Sequence, residues 1–267
     1  MNTERVALFD AHNHLQDDRI AGVLGRVLED CRHENIHGFV VNGTCESDWP
    51  RIADLSQRDE RVLPSYGVHP WRVDRCSAAW LDHLRRQLDT RPSAIGEIGL
   101  DRWMREPDLL RQEEIFIAQL RLANERQLPV TVHCLKAWGR LLEILQSETP
   151  RAGFLLHSYS GPAEMLPRFT QLGAYFSMSG HFAHERKHAQ QRVFKEVPDN
   201  RLLIETDAPD MPPPSALRPY SLEDAALNHP ANLAAIYRFT ARLRGLSVDD
   251  LATTVAANFK RLFSTAD

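Results

Sequence analysis

Eight short apolar segments recur along this 267-residue chain, and each ends in polar residues or glycine. Most are separated by stretches with helical periodicity; in one of these, Phe116, Leu120 and Ala123 share a helix face. Strands that alternate with helices form parallel sheets, and continuously apolar strands are covered on both faces. The segments are VALFDAHNH, GFVVNGT, VLPSYGVHP, AIGEIGLD, PVTVHC, GFLLHSYSG, AYFSMSG and LLIETDAP.

Eight strand–helix units in a chain of this length predict an α/β fold, a (β/α)8 TIM barrel. The main alternative is a doubly wound open sheet, but the chain lacks the glycine-rich phosphate turn of that fold and any Gly-x-x-x-x-Gly-Lys-Ser/Thr motif. No Gly/Ser-rich linker divides the sequence, so we expect a single domain over residues 1–267. Residues 207–230, the one long irregular segment, follow the eighth strand and predict a functional loop.

Charge and cysteine content narrow the class of protein. The net charge of −4 and the pI of about 6.3 exclude a polycation that coats nucleic acid. No apolar run approaches the roughly 20 residues of a membrane span, and the first ten residues lack a signal-peptide core. No Cys-x-x-Cys motif occurs, so we expect reduced thiols and a cytoplasmic location. The four cysteines are Cys31, Cys45, Cys76 and Cys134.

Polar side chains occupy the carboxyl ends of six predicted strands, where a barrel places its active site. His12 and His14 are two residues apart and therefore share one face of the first strand. Four further strands supply Glu97, His133, His157 and Asp207, and His69 ends the third. Imidazole and carboxylate groups converging at one rim predict a site for two divalent metal ions such as zinc, manganese, nickel or magnesium.

The chain resembles the TatD family of metal-dependent deoxyribonucleases, within the amidohydrolase-like barrels. The resemblance runs nearly end to end and implies a TIM barrel with two divalent metal ions (Zn, Mg or Mn). It also implies hydrolysis of DNA phosphodiester bonds, usually as a 3′–5′ exonuclease, so DNA, as single strands or 3′ ends, is the expected partner. The matching segments are DAHNHL, GVHP, IGEIGLD, RQEEIFIAQLRLANERQLPVTVHC, LHSYSG, LIETDAPDMPP, NHPANL and ANFKRLF.

The resemblance implies six metal ligands by motif position. They are His12, His14 and Asp207 for the first metal, His133 and His157 for the second, and Glu97 between the two. Asp207 and Glu97 are the expected catalytic residues, with Asp207 orienting a metal-activated water and accepting its proton. Two such metals can clamp the attacking and leaving oxygens of a phosphoryl group.

Substrate contacts are expected from a second group of residues near these motifs. They are His69, Asp101, Lys136, Trp71 and Trp103. Trp49, Trp71 and Trp103 follow strands 2, 3 and 4 and fit either stacking on bases or packing at the barrel rim. Only Trp71 and Trp103 are close enough to the site motifs to favour stacking.

Three positions depart from the family pattern. Leu135 and Leu227 stand where the family usually has arginine, and His229 stands where glutamate is frequent. Because arginine forks two donors onto phosphate, we hypothesise that the phosphate contacts or the substrate differ here, with Lys136 compensating in part. Two alternatives remain: a metal-dependent hydrolase of a non-nucleic-acid amide, lactone or ester, and a non-enzymatic binding barrel, which a complete ligand set disfavours.

Three other features receive structural interpretations. His181, His184 and His188 would share one face of a helix after the seventh strand, and we interpret that helix as solvated rather than as another metal site. A position at the border of the substrate groove is the alternative. Cys134 should face away from the pole that His133 faces and pack in the core. Asn258 is expected to be structural.

Overall fold

The computed structural model describes residues 6–264, and over these residues eight parallel strands follow one another in sequence order around a nearly closed barrel. The predicted (β/α)8 TIM barrel is therefore confirmed. The strands are β1 (Leu8–Asn13), β2 (Ile36–Asn42), β3 (Val62–Tyr66), β4 (Ala94–Asp101), β5 (Val130–Leu135), β6 (Phe154–Leu156), β7 (Ala174–Ser179) and β8 (Leu202–Glu205).

Helices cover the outside of the barrel. The described residues contain α1 (Asp18–Ala21), α2 (Leu24–His33), α3 (Trp49–Arg58), α4 (Trp80–Leu88), α5 (Leu109–Arg126), α6 (Trp138–Ser147), α7 (Leu166–Gln171), α8 (His188–Glu196), α9 (Leu233–Arg244) and α10 (Val248–Phe263). Short 3-10 helices lie at Pro70–Arg75, Ala163–Met165, Gly180–Ala183, Glu185–Lys187, Asp199–Arg201, Ser215–Leu217 and Pro230–Asn232.

The fifth helix shows how sequence pattern becomes packing. Asp108 caps α5 by accepting a hydrogen bond from the Arg111 N–H at 3.0 Å. The predicted helix face of Phe116, Leu120 and Ala123 is buried. α5 packs against β4, and every residue of β4 is buried, as expected for a strand whose sheet is covered on both faces. The ends of the strands are therefore the accessible surface where polar side chains can meet.

Side chains help to close the seam between the first and last strands. The buried Tyr237 hydroxyl donates to the Phe9 carbonyl at 2.9 Å and accepts from the Phe9 N–H at 3.1 Å. Asp10 accepts hydrogen bonds from the backbone N–H and the hydroxyl of Thr206. At the carboxyl end, Asp207 N–H donates to the His12 carbonyl at 2.9 Å. The seam is therefore held by polar side chains and by the backbone of residues proposed as metal ligands.

Buried amides anchor the long segment after β8. Asn228 donates from its backbone to Pro209 O at 2.8 Å and from its side chain to Thr206 O at 2.9 Å. His229 is buried with its Nε2 3.3 Å from Asp30 Oδ2, so it packs toward α2. Leu227 packs against the hydrophobic core. The Asn-His-Pro motif is thus an anchor of the loop.

One predicted helix is wrong. His181, His184 and His188 do not share a helix face, because His184 is extended (φ −61°, ψ 140°) and separates two 3-10 helices, while α8 begins only at His188. None of the possible metal-binding groups found within residues 6–264 contains these histidines. The His184 Nε2 lies 3.1 Å from the Pro212 carbonyl, so this ring contacts the loop after β8.

The structural expectations for Cys134 and Asn258 are confirmed. Cys134 is buried, and burial raises the pKa of its thiol. Asn258 donates from its amide to the carbonyls of Asp199 and Leu202, tying α10 to the base of β8. Trp49 is buried and donates to Gly67 O at 3.1 Å, which is a packing role. No helix within residues 6–264 is long and apolar enough to span a membrane.

Candidate metal centre

The six residues expected as metal ligands converge at the carboxyl end of the barrel. His12 and His133 lie near the ends of β1 and β5, Glu97 lies in the middle of β4, and His14, His157 and Asp207 follow β1, β6 and β8. All are buried except His14, which is partly exposed. Since the strands are parallel and in sequence order, their ends meet at a single rim, and this alone brings distant residues together.

Glu97 stands between two sets of histidines. Its Oε2 lies 3.4 Å from His12 Nε2 and 3.3 Å from His14 Nε2. Its Oε1 lies 2.9 Å from His133 Nδ1 and 2.8 Å from His157 Nε2. One carboxylate thus presents a separate oxygen to each histidine pair.

Asp207 completes the half of the cluster that contains His12 and His14. Its Oδ1 lies 3.4 Å from His12 Nε2 and 3.5 Å from His14 Nε2. Its φ of 53° is in the left-handed region, which aspartate tolerates better than most residues. Burial would raise the pKa of this carboxyl, but hydrogen bonding to the two histidines outweighs burial and holds the pKa well below its usual range.

The donor geometry fits divalent cations. His12 Nε2 and His14 Nε2 are 3.2 Å apart, and His133 Nδ1 and His157 Nε2 are 3.3 Å apart. Two imidazole nitrogens that bind one tetrahedral zinc at ~2.0–2.1 Å are themselves about 3.3–3.4 Å apart. Each histidine pair therefore has the spacing of two ligands to a shared ion, with Glu97 adjoining both pairs.

Hydrogen-bond partners on the outer side orient two of the four rings, and a carboxylate lies near a third. His14 Nδ1–H donates to the Asn42 carbonyl at 2.8 Å, and His133 Nε2–H donates to Asp101 Oδ2 at 3.0 Å. His157 Nδ1 lies 3.6 Å from Glu205 Oε1. The hydrogen bonds of His14 and His133 select the tautomer that turns a lone pair toward the centre.

Sequence reasoning missed Glu205. This buried carboxylate accepts hydrogen bonds from Ser158 and Ser177 and adjoins His157. The signal was present, because Glu205 precedes Asp207 by two residues, the spacing that singled out His12 and His14. Asn42, at the end of β2, was also missed; it contributes its backbone carbonyl, which no residue type encodes.

Asp101 lies behind His133, where it connects several loops. Its Oδ2 accepts from Trp71 Nε1 at 2.7 Å as well as from His133, and its Oδ1 accepts from the Trp103 N–H at 2.6 Å. Burial opposes ionisation, but the hydrogen bond to His133 prevails, and the pKa of Asp101 falls to about 2. The structure therefore places this carboxylate against a proposed ligand and two tryptophans.

His69 approaches the other side of Glu97. Its Nε2 is 3.3 Å from Glu97 Oε1, and its Nδ1 accepts the Trp71 N–H at 3.1 Å. Burial lowers the pKa of this imidazole to about 4 even though Glu97 opposes the shift. His69 is thus a neutral ring at the edge of the cluster.

The remaining expected substrate contacts lie farther out. Trp71 and Trp103 are 48% and 63% exposed. Lys136 is exposed just beyond β5, and Leu135 is partly buried at its last position. A cleft of about 490 Å³ opens from His14, His69 and Glu97 and runs past Trp71. Trp71 is thus available for stacking inside this cleft, whereas Trp103 and Lys136 do not line it.

A (β/α)8 barrel with histidines and carboxylates clustered at the strand ends is the architecture of a metal-dependent hydrolase. A family model described as TatD related DNase matches residues 9–264. The chain belongs to this family, as its motifs indicated, and is a hydrolytic enzyme that acts on ester bonds.

Relatives match along nearly the whole chain. An uncharacterized metal-dependent hydrolase, YjjV of Escherichia coli (strain K12), is 28% identical over 259 residues, 96% of this chain and 97% of the relative. The 3′-5′ ssDNA/RNA exonuclease TatD of Citrobacter koseri is 34% identical over 243 residues, 86% and 89% of the two chains. The crystal structure of YjjV superposes with a TM-score of 0.89 at 27% identity, covering 97% of this chain and 98% of that one.

Proposed function

We propose that this enzyme is a 3′–5′ exonuclease that hydrolyses phosphodiester bonds of single-stranded DNA with two divalent metal ions. The observation that carries the proposal is the position of the Glu97 carboxylate. Each of its two oxygens faces a different histidine pair, at oxygen–nitrogen distances of 2.8–3.4 Å. Names of relatives support the substrate class, since several are 3′-5′ ssDNA/RNA exonucleases.

In this proposal each residue has a defined role at the centre. His12, His14 and Asp207 hold one ion, His133 and His157 hold the other, and Glu97 adjoins both. The chemistry supplied by bound zinc, magnesium or manganese is stabilisation of charge on the phosphoryl oxygens and activation of a water.

The protein's own groups position the substrate and move the proton. Asp207, whose pKa is held low by hydrogen bonding to the histidines despite burial, is ionised and can orient the attacking water and accept its proton. His69 accepts a hydrogen bond at Nδ1, so its ring proton is on Nε2, where a neutral donor faces the cleft beside Glu97. Trp71 and Trp103 offer exposed rings for bases.

The single-domain organisation over residues 1–267 also remains a proposal, and Met1–Arg5 and Thr265–Asp267 lie outside the described residues. A cytoplasmic location is supported by the four cysteines, all of which are free thiols.

A second candidate function is hydrolysis of a non-nucleic-acid amide, lactone or ester. Leu135 favours it, because a partly buried apolar side chain stands at the end of β5 where the family usually places arginine. The same metal centre would serve that chemistry equally well.

The deciding experiment uses metal-stripped enzyme and single-stranded DNA labelled at either the 3′ or the 5′ end, with magnesium, manganese or zinc added back. We expect stepwise shortening from the 3′ end that requires metal and is abolished by Asp207→Ala. Binding of two metals per chain with no cleavage of DNA by any of them would contradict the exonuclease proposal and favour the second candidate.

A further inference from the structure

The 3-10 helix Pro70–Arg75 lines the cleft that leads away from the metal centre. A 3-10 helix has three residues per turn, so side chains three positions apart lie above one another. One face, with Pro70 and Val73, is buried against the barrel. The face that carries Arg72 and Arg75 lines the cleft. The helix therefore presents two guanidinium groups in a row.

These two arginines differ from the other two that line the cleft. Arg19 donates to two carboxylates, and Arg51 pairs with Asp18. Within residues 6–264, neither Arg72 nor Arg75 has a carboxylate within ion-pair distance. The positive charge of the cleft is thus neutralised on the side of β1 and left free on the side of β3.

Carboxylates on the neighbouring loops are already engaged. Glu46 accepts hydrogen bonds from Ser77 and pairs with His83. Asp48 accepts from the backbone and hydroxyl of Thr44. Asp74, in the same helix, is exposed and does not line the cleft. The two free guanidinium groups are therefore available to an anionic ligand.

An ordered aromatic ring lies between the metal centre and this pair. Trp71 is about half exposed, but its indole N–H is fixed on Asp101 at 2.7 Å. Its ring meets His69 edge-on, with centroids 5.1 Å apart. Because the ring is already held in place, a base that stacks on it encounters little cost in side-chain entropy.

We propose, building on the exonuclease function above, that Arg72 and Arg75 bind the phosphates next to the scissile one in a single-stranded polynucleotide, with Trp71 stacked on an adjoining base. A rise of about 2.0 Å per residue separates the two arginine positions by roughly 6 Å along the helix axis, a spacing suited to successive phosphates of an unstacked strand. This face supplies the arginine contact that Leu135 cannot make.

The test compares the variant Arg72→Gln/Arg75→Gln with a control that loses the same charge elsewhere. Arg86→Gln/Arg168→Gln is suitable, because both residues are exposed on the outer helices α4 and α7. Hydrolysis is measured on a ten-nucleotide single strand and on bis(4-nitrophenyl) phosphate, a diester without neighbouring phosphates. Binding of a labelled (dT)10 is measured separately by fluorescence anisotropy in EDTA.

We expect the Arg72/Arg75 double variant to lower the ratio of kcat/KM for the oligonucleotide to that for the small diester about 10- to 100-fold. Affinity for (dT)10 should fall by a similar factor. The slope of log affinity against log salt should become shallower by about 1.4, since each contact with a single-strand phosphate contributes ~0.7. The control variant should match the wild type in all three measurements.

An unchanged ratio and unchanged (dT)10 affinity would overturn the inference, even if the wild type is a fully active exonuclease. An equal loss on both substrates would also overturn it, because the arginines would then act on the metal centre. A wild type that cleaves no nucleic acid would contradict the exonuclease proposal alone. The anisotropy comparison would still decide whether Arg72 and Arg75 bind a polynucleotide.

Discussion

Replacing Asp101 by asparagine should test whether metal binding depends on how the proposed ligand His133 is oriented, because the substitution leaves His133 itself in place. The carboxylate accepts His133 Nε2–H at 3.0 Å and Trp71 Nε1–H at 2.7 Å on one oxygen, and two backbone N–H groups, from Trp103 and Met104, on the other. An amide has one oxygen, so its NH2 group must face one of these donor pairs. The asparagine side chain therefore cannot reproduce the contacts of the carboxylate.

The cost of this substitution follows from the geometry. If the NH2 group faces His133, the ring can regain a hydrogen bond only by moving its proton to Nδ1, the atom 2.9 Å from Glu97 Oε1. That tautomer removes the lone pair proposed to bind metal. Loss of a partner behind a ligating histidine weakens metal binding about 10- to 100-fold, or about 1.4–2.7 kcal/mol.

The assay is a metal titration of stripped Asp101→Asn protein by calorimetry, or by competition with a chromophoric chelator. We expect two binding steps in the wild type and one step weakened 10- to 100-fold in the variant. Nitrogen-15 NMR of the His133 ring should show the proton on Nε2 in the wild type and on Nδ1 in the variant.

The matched control is Trp71→Phe, which removes the other donor to the same carboxylate oxygen but leaves His133 its partner. Its metal affinity should stay within about twofold of the wild type. Wild-type affinity at both steps in Asp101→Asn would refute the reasoning, because His133 would then bind metal without the carboxylate behind it.

Three further predictions test other parts of the molecule. Glu97→Ala should abolish binding at both metal positions, measured as metal content after dialysis, because its two oxygens adjoin both histidine pairs. Burial raises the pKa of Asp10 from 3.8 to about 7. The folded protein therefore binds this proton more tightly than the unfolded chain does, and the free energy of unfolding falls as the pH rises from 4 to 7. In urea denaturation, Asp10→Asn should therefore gain stability relative to the wild type between pH 4 and 7, by up to about 1.4 kcal/mol per pH unit, and a constant difference would contradict this. Tyr237→Phe leaves both backbone groups of Phe9 without their partner and should cost about 2–4 kcal/mol in the same assay, whereas Tyr175→Phe, whose hydroxyl has no hydrogen-bond partner in residues 6–264, should cost less than 1.

The convergence of ligands could be predicted because it depends on topology alone. In a ring of parallel strands every carboxyl end lies at one rim, so His12 and Asp207 meet although they are far apart in the sequence. The partners behind the ligands could not be predicted in this way. Whether His133 turns its outer nitrogen to Asp101 depends on ring rotation and loop path, which strand periodicity does not determine.

Local conformation also limited what the sequence could predict. Trp49 and Trp71 both follow strands, but Trp49 begins an α-helix and turns inward, whereas Trp71 lies in a 3-10 helix and is about half exposed. The histidines after β7 have helical spacing, and no proline or glycine lies between His181 and His188 to mark a break. The extended His184 contacts the loop after β8, and the helical spacing of the histidines does not register such a tertiary contact.

Closure of the barrel and construction of the metal centre depend on the same contacts. His12 and Asp207 lie on opposite sides of the seam, and the Asp207 N–H donates to the His12 carbonyl, so the backbone that joins the first and last strands also spaces two proposed ligands. His133 and His157 instead adjoin regular ladder pairs of β4, β5 and β6 within the sheet. An ion held by His12, His14 and Asp207 would therefore cross-link the least regular junction of the barrel. Because such an ion binds only where that seam is closed, it stabilises the closed barrel by an amount that grows with the ratio of the free ion concentration to its Kd.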